Sequence, residues 1–365
     1  MKLENMSGKL NFRIIHSVVE FENLGEAWDR LLEENHLRSA VLTWEWAFSW
    51  WSVYGEGKEL WLVTVWDAET LLGVAPLMLE TRHRTKIPLR VLTTLGSPMN
   101  DVGGFIVHNQ SEKVVRLIFD AIWAHRFTWD LLELSEFLEE GIELRTAQTF
   151  FSADEFYLLE KRSEHYYLPI WVEWDEFYAS LSRKFRENLR RAERNAKKRG
   201  AVTLKKYVGD SLSWQNLEEV IALNCHAYYP GLCHSEQEQA FLRALFSRAR
   251  QWLAVYVLYI DSVAVGYRYG FLYDNKFEDW RTGFDTRLPS SVSVGKLAAS
   301  KVIQDAFDSR LTEVDFLRGA HAYKRKWQPK SRFFVQIRLF RKRSLRAQAA
   351  YLWLNKLKPM LKREK

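Results

Sequence analysis

The sequence predicts two consecutive mixed α/β domains, each a mostly antiparallel sheet flanked by helices. Three observations carry this. The chain has 365 residues, enough for two hydrophobic cores. The run WLVTV at 61–65 precedes GVAPL at 73–77, and WLAVY at 252–256 precedes GYRYG at 266–270, so each pair reads as a hairpin. Each hairpin is followed by a loop, an amphipathic helix, a strand and another helix, so one unit occurs twice.

The first half reads as helices over 19–35 and 43–54, then strands over 60–66, 72–80 and 89–95. A loop at 96–104, a helix at 112–125, a strand at 129–134 and a helix at 142–151 follow, with an extended stretch over 156–167. The second half repeats this order. It has helices over 213–228 and 235–249 and strands over 252–260, 264–273 and 276–284. Then come a loop at 289–295, a helix at 296–308, a strand at 314–317, a short helix at 321–327 and a final strand at 333–340. Asp261-Ser262 and Asp274-Asn275 supply the tight turns. The predicted domains are 10–167 and 168–340, with a tail over 341–365. The chemistry is expected in the second and a scaffold role for the first.

Composition is that of a soluble globular protein, 47% hydrophobic and 27% charged. No run approaches the roughly 18 apolar residues of a spanning helix. Residues 1–5 carry no apolar signal core, so a cytoplasmic location is expected. Two cysteines, Cys225 and Cys233, suit a reducing compartment. With His226 and His234 they match no common zinc spacing, so no metal is expected there and local packing is the simpler role. The aromatic content, 16 Trp and 15 Tyr, suits a sugar- or base-binding cleft, but Trp44, Trp46, Trp50 and Trp51 crowd one helix as core residues do.

The net charge of +7 is concentrated in two places. Over 181–199, Leu181, Phe185, Leu189, Ala192 and Ala196 form an apolar helical stripe beside a basic one of Arg183, Arg186, Arg190, Arg194 and Lys197. Gly200 ends the helix. Two readings stand for the basic face: a solvated surface, or a surface for phosphates, a polyanion or an acidic carrier. The tail over 341–365 is the second place. It reads either as an amphipathic helix on an anionic membrane face or as a terminal helix packed on the second domain.

The most specific stretch is Asp315-Phe316-Leu317-Arg318-Gly319, followed by Tyr323-Lys324 and Trp327, with Gly266-Tyr267 and Thr282-Gly283-Phe284-Asp285 upstream. This signature resembles the CelD-like acetyltransferases, and the order of elements resembles the GNAT acyltransferase fold. The basic helix over 181–199 resembles that of the FemAB peptidyltransferases, which carry two tandem GNAT-like domains. The resemblances span roughly residues 10–340.

The resemblance implies two tandem GNAT-like domains and an acyl-CoA co-substrate, with no tightly bound cofactor. It implies that the loop before the helix at 296, with Ser291, Ser293, Val294, Gly295 and Lys296, holds the carrier's pyrophosphate on backbone N–H groups. It implies that Tyr323 protonates the leaving thiolate. His321 is a candidate base for the attacking amine, although residues two apart on a regular helix face different ways. Asp285 and Arg281 are expected to face one cleft or to pair with each other. Asp315 and Arg318 are a second candidate pair, and Arg318 with Lys324 could hold a phosphate or carboxylate. Asp101 ends the matching loop of the first half, as a turn cap or as part of a site between the halves.

The expected function is transfer of an acyl group from a thioester to an amine of a cell-envelope or polysaccharide precursor. Direct attack is expected, since no nucleophile elbow or oriented Cys/His pair is present. The acceptor is a small molecule or carrier-linked. Two alternatives remain: an aminoacyl-tRNA donor held by Arg186, Arg190 and their neighbours, or non-catalytic binding of RNA or another polyanion. The single glycine in the loop over 290–296 favours the tRNA donor, and the CelD-like signature favours the thioester.

Overall fold

The structure, a computed structural model, describes residues 10–83, 88–224, 235–319 and 321–357. Its strands are β1 (Asn11–Ile15), β2 (Glu59–Asp67), β3 (Thr70–Arg82), β4 (Leu89–Thr94), β5 (Ile106–Val107), β6 (Leu131–Leu138), β7 (Phe156–Pro169), β8 (Val202–Val208), β9 (Leu253–Ile260), β10 (Val263–Tyr273), β11 (Lys276–Phe284), β12 (Glu313–Arg318) and β13 (Lys330–Arg341). Its helices are α1 (Val18–Glu22), α2 (Gly25–Glu33), α3 (Trp44–Tyr54), α4 (Glu112–Ala124), α5 (Ile142–Phe150), α6 (Trp174–Ser180), α7 (Arg183–Lys197), α8 (Trp214–Asn224), α9 (Glu236–Ala249), α10 (Val294–Asp308), α11 (Ala322–Arg325) and α12 (Leu345–Leu352). Among the described residues, no helix is long and apolar enough to cross a membrane. The chain forms two units. The first holds residues up to Ser163 and from Phe333 on, and the second runs from Glu164 to Arg332.

In the first unit the strand order is β1-β2-β3-β4-β6-β13, with β5 beside β3. Among the described residues of this unit, only β4 and β6 run parallel. Helix α4 begins on Ser111, whose hydroxyl accepts from the Val114 N–H. Its apolar positions Val114, Val115, Ile118, Phe119 and Ile122 recur at helical spacing and pack on Trp61, Val63 and Leu77 of the sheet. Elsewhere in the unit, α2 and α3 bury Trp28, Trp46 and Trp50. Two of these indole nitrogens find acceptors, Trp28 on the Leu42 carbonyl and Trp46 on Asn100 Oδ1, both at 2.9 Å. The tryptophan cluster of α3 is therefore core.

In the second unit the order is β8-β9-β10-β11-β12-β7, with β11 and β12 the parallel pair. Each sheet thus has the same arrangement, four antiparallel strands followed by one parallel and one antiparallel neighbour. The turns Asp261-Ser262 and Asp274-Asn275 have all four residues at positive φ, the left-handed pair that two-residue hairpins need. Helix α7 starts on Ser182, whose hydroxyl accepts from the Phe185 N–H, and buries Phe185, Leu189, Ala192 and Ala196. The apolar stripe read from the sequence is the packed face of this helix.

The structure departs from the sequence reading in four places. The predicted helix over 19–35 is two, α1 and α2, because the chain turns at Asn23 and Leu24. Strands β1 and β8 were not anticipated; both are edge strands with alternating or thin burial, a weak apolar signal. The strand predicted at 333–340 lies in the first unit, where Phe334 to Phe340 pair with β6. The tail helix α12 also packs there, not on the second domain. Its Ala347, Ala350 and Tyr351 meet Val91, Leu131 and Phe340, and Tyr351 stacks on Tyr157 at 4.2 Å.

Two measurements test this packing. Leu189→Ala should lower stability by about 2–5 kcal/mol in urea titration, while Arg191→Ala on the exposed face should stay within about 0.5 kcal/mol. Asp29, on α2, has its carboxyl pushed up to about 6 by burial and by the nearby Glu45 charge. The folded protein therefore holds a proton that the unfolded chain releases from about 3.8 upward, so this group costs stability as the pH rises through about 6. Asp29→Asn should stabilise at neutral pH, with the gain shrinking as the pH is lowered through that window.

Candidate active site

The second unit's parallel pair is short. β11 and β12 are paired only at Lys276–Glu313, Phe277–Val314 and Glu278–Asp315. Beyond Glu278, a bulge in β11 sets Asp279 and Trp280 opposite the single residue Gly270 of β10. Gly270 is required there, since a Cβ would lie 1.9 Å from the Glu278 carbonyl oxygen. β12 has its own irregularity after Asp315, with Leu317 at φ 54°. The two bulged strands leave their ladder and open a cavity of about 510 Å³.

The cavity walls come from five elements. Thr282, Phe284 and Asp285 end β11; Ser290, Ser293, Val294, Gly295 and Lys296 lead into α10; Tyr323, Lys326 and Trp327 follow β12; Phe185 comes from α7. Phe185 meets Trp327 edge-on at 4.9 Å. Arg268 of β10, opposite Thr282 in register, forms part of the wall and is 3% exposed. Its guanidinium is ion-paired with the equally buried Asp279 and reaches the Tyr323 ring, 6.0 Å from its centroid. Burial pushes the Arg268 guanidinium down from its ordinary range, and hydrogen bonding to the Tyr323 phenol opposes this.

Helix α10 presents its N-terminus to the cavity without a side-chain cap. Ser293 sits at the cap position in the left-handed region, but its hydroxyl donates to the Ser290 carbonyl at 3.1 Å. Ser293 therefore gives this helix no side-chain cap. Ser291 does not line the cavity; its carbonyl accepts from Asn195 Nδ2 of α7 at 2.8 Å. The first turn of a helix has amides with no intrahelical acceptor, and Val294 and Gly295, at the cavity wall, are in that turn. Lys296 and Lys326 make no ion pair among the described residues. Two cations and the positive end of a 15-residue helix thus converge on one apolar-walled space.

Other predicted residues are placed differently. Asp285 lines the cavity, and its carboxylate is bound by Arg287, with Nε–Oδ1 at 2.9 Å and Nη2–Oδ2 at 2.7 Å. Arg281 is next to the cavity-facing Thr282, so strand alternation turns it to the other face, where it stacks on Trp280 at 4.0 Å. Lys324 is not a ligand-binding cation. It is 3% exposed and its Nζ donates to the carbonyls of Phe316, Arg318 and Leu317 at 2.7, 2.9 and 3.3 Å, clamping the bulged end of β12. Asp315 pairs with Arg332 and not with Arg318. Arg318 is exposed at the strand end, outside the cavity.

His321 precedes α11 in extended backbone, so the helical argument against a joint role with Tyr323 does not apply. The two rings lie nearly parallel, 6.2 Å apart. Arg186 is half-buried, and Arg190 lies 5.8 Å from the centroid of the Tyr178 ring, both on α7 and outside the cavity. Asp101 is buried in the first unit. Cys225, His226, Cys233 and His234 lie outside the described residues. Sequence reasoning missed Arg268, Asp279 and Lys326. Only the first left a signal, a single charge inside the otherwise apolar strand run VAVGYRYGF; Asp279 is one of four charges in KFEDWRTGF.

The matching place in the first unit is filled. Asn100 accepts from Trp46 and donates to the Leu95 carbonyl at 2.9 Å, and a Cβ on Gly96 would lie 2.3 Å from its side chain. The spaces beside Gly103 and Gly104 measure only about 20 and 10 Å³.

The family model described as an acetyltransferase (GNAT) domain matches residues 183–325, which hold all of the cavity lining named above except Lys326 and Trp327. The chain carries a GNAT acetyltransferase domain. This makes the protein a transferase, with the parallel-pair opening of the GNAT domain as its candidate centre. Among solved structures, FemX aligns at a TM-score of 0.61 and 10% identity, over 94% of this chain and 99% of that one. L-PGS from Bacillus licheniformis aligns at 0.54 and 12%, over 90% and 95%. The C-terminal domain of a putative lysylphosphatidylglycerol synthetase from Agrobacterium fabrum aligns at 0.55 and 11%, over 92% and 97%. These likenesses show a shared fold across both units. No curated protein matches the chain.

The Lys324 clamp gives a test. Lys324→Met leaves buried carbonyls without a donor and should lower stability by about 1–3 kcal/mol in chemical denaturation. Donor affinity at temperatures where the variant stays folded should be unchanged.

Proposed function

We propose that the second unit transfers an acyl group from a thioester donor, an acyl-CoA, to an amine of a small-molecule or carrier-linked acceptor such as a cell-envelope or polysaccharide precursor. The observation that carries this reading is one cavity with an uncapped helix N-terminus and Lys296 on one wall, and Lys326 with a tyrosine backed by a buried arginine on another. Phosphates of the carrier suit the α10 amides with Lys296 and Lys326. The apolar walls of Phe185, Phe284 and Trp327 suit the acyl-bearing arm.

In this reading the amine attacks the acyl carbon directly, and the carbon–sulfur bond breaks as the amide forms. Tyr323 gives its phenolic proton to the departing thiolate. The phenolate left behind faces the Arg268 guanidinium, whose charge lowers the cost of the phenolate. The proton shed by the amine passes to solvent or to the exposed His321 imidazole beside Tyr323 and restores the phenol.

A second reading, an aminoacyl-tRNA donor, is favoured by the cations that α7 exposes. Arg190, Arg194 and Lys198 face solvent on the helix whose Phe185 lines the cavity. FemX and the two synthetase structures lend this reading a fold-level analogy only.

Calorimetric titration with acetyl-CoA, longer acyl-CoAs and aminoacyl-tRNA at two salt concentrations separates the readings. Saturable thioester binding, weakened by Lys296→Ala with Lys326→Ala, supports the first. Binding of aminoacyl-tRNA alone, steeply salt-dependent and lost on reversing Arg190 and Arg194, replaces it with the second. With an active donor, Tyr323→Phe should lower kcat at least about 100-fold with little change in donor KM. Full activity in that variant removes Tyr323 from the chemistry.

A further inference from the structure

Helix α12 has two apolar faces, and only one of them is packed. Ala347, Ala350, Tyr351 and Leu354 turn inward onto the first unit's sheet. Leu345, Leu352 and Trp353 recur at i, i+7 and i+8, so they line the opposite, outward face. They are 81%, 46% and 36% exposed. A helix that packs once and ends in solvent carries polar residues on its outer face. This one carries leucine and tryptophan there.

The surroundings of that face are cationic. Arg90, Asp130, Ser344, Leu345 and Arg346 line an open surface groove of about 490 Å³. Arg341 and Arg126 stand at 5.3 and 4.5 Å from the ring of Phe127, which is 58% exposed, and Arg90 donates to the Phe127 carbonyl at 3.1 Å. Asp130 is the acid among them, and it is already shared by Arg90, Arg341 and Ser344. Burial pushes the Arg341 guanidinium down, against the pull of Asp130, and Arg90 and Arg126 add like-charge crowding. Arg343 and Arg346 point into solvent. The sequence continues with Lys356, Lys358, Lys362, Arg363 and Lys365 against the single acid Glu364.

We propose that this face of the first unit is a docking surface for an anionic lipid bilayer, with Leu345, Leu352 and Trp353 entering the interfacial layer and the arginines meeting lipid phosphates. Exposed leucines at the centre of a basic patch fit a surface that is both apolar and negative, which a bilayer offers and a nucleic-acid backbone does not. Peripheral attachment of this kind needs no spanning helix. It concerns the first unit alone and is independent of the transfer reaction proposed for the second.

The test is co-sedimentation of the full chain with vesicles of phosphatidylcholine alone and of phosphatidylcholine mixed with phosphatidylglycerol, at low and high salt. Sedimentation only with the phosphatidylglycerol vesicles, weakening with salt, is expected. Partitioning should fall by about fivefold for each cation removed, so Arg343→Glu with Arg346→Glu should abolish it. Leu345→Asp should weaken it at both salt concentrations. All three positions are exposed, so each variant should keep the parent unfolding curve. Equal sedimentation with both vesicles, none with either, or indifference to the charge reversals overturns the proposal. So does a dimer in analytical ultracentrifugation without lipid that Leu345→Asp dissociates, which would make the face a contact between copies, or salt-sensitive tRNA binding in place of vesicle binding.

Discussion

The second unit depends on a ladder that stops. Parallel strands hydrogen-bond evenly along their length unless something bends them. Here a two-for-one bulge in β11 and a left-handed residue in β12 bend both strands after three paired positions. The gap cannot close, because Gly270 admits the Glu278 carbonyl on one side and Lys324 ties three β12 carbonyls on the other. The cavity, the approach of α10 and the exposure of Tyr323 all follow from that divergence. The same bulge gives Arg268 its buried partner, Asp279. A charge pair at this depth is hard to explain by stability, since well-packed apolar residues of similar size often do as well.

The first unit repeats the arrangement and much of its strain. β6 has an irregularity opposite β13, and Glu136 there has φ 56°, as Leu317 has 54° in β12. Backbone strain of this type persists only when surrounding contacts impose it. In the first unit those contacts remain while the space they shaped is occupied by Asn100 and Trp46. The two halves thus share a skeleton and differ in whether it is filled.

Much of this architecture was legible from periodicity. The stripe of Phe185, Leu189, Ala192 and Ala196 and the polar pairs Asp261-Ser262 and Asp274-Asn275 each specify local structure without help from the rest of the chain. The site was less legible, because its geometry comes from long-range effects. Lys324 reads as a ligand cation in a motif, yet its ammonium lies within reach of three carbonyls only because β12 bulges. Asp285 has two arginines near it in sequence, and the turn after β11 brings Arg287 onto its carboxylate. Arg268 was visible only as an anomaly, a charge in an apolar strand, with no sequence rule to name Asp279 as its partner. The final strand was misplaced for the same reason, since strand pairing across two hundred residues leaves no local mark.

The placement of that strand orders the synthesis of the molecule. The second unit is one continuous stretch, and the first is closed by residues from Phe333 onward that pair with β6. As the chain leaves the ribosome, the cavity-bearing unit is complete while the first still lacks a sheet neighbour for β6. The half that begins first finishes last, and until it does an apolar strand edge waits uncovered.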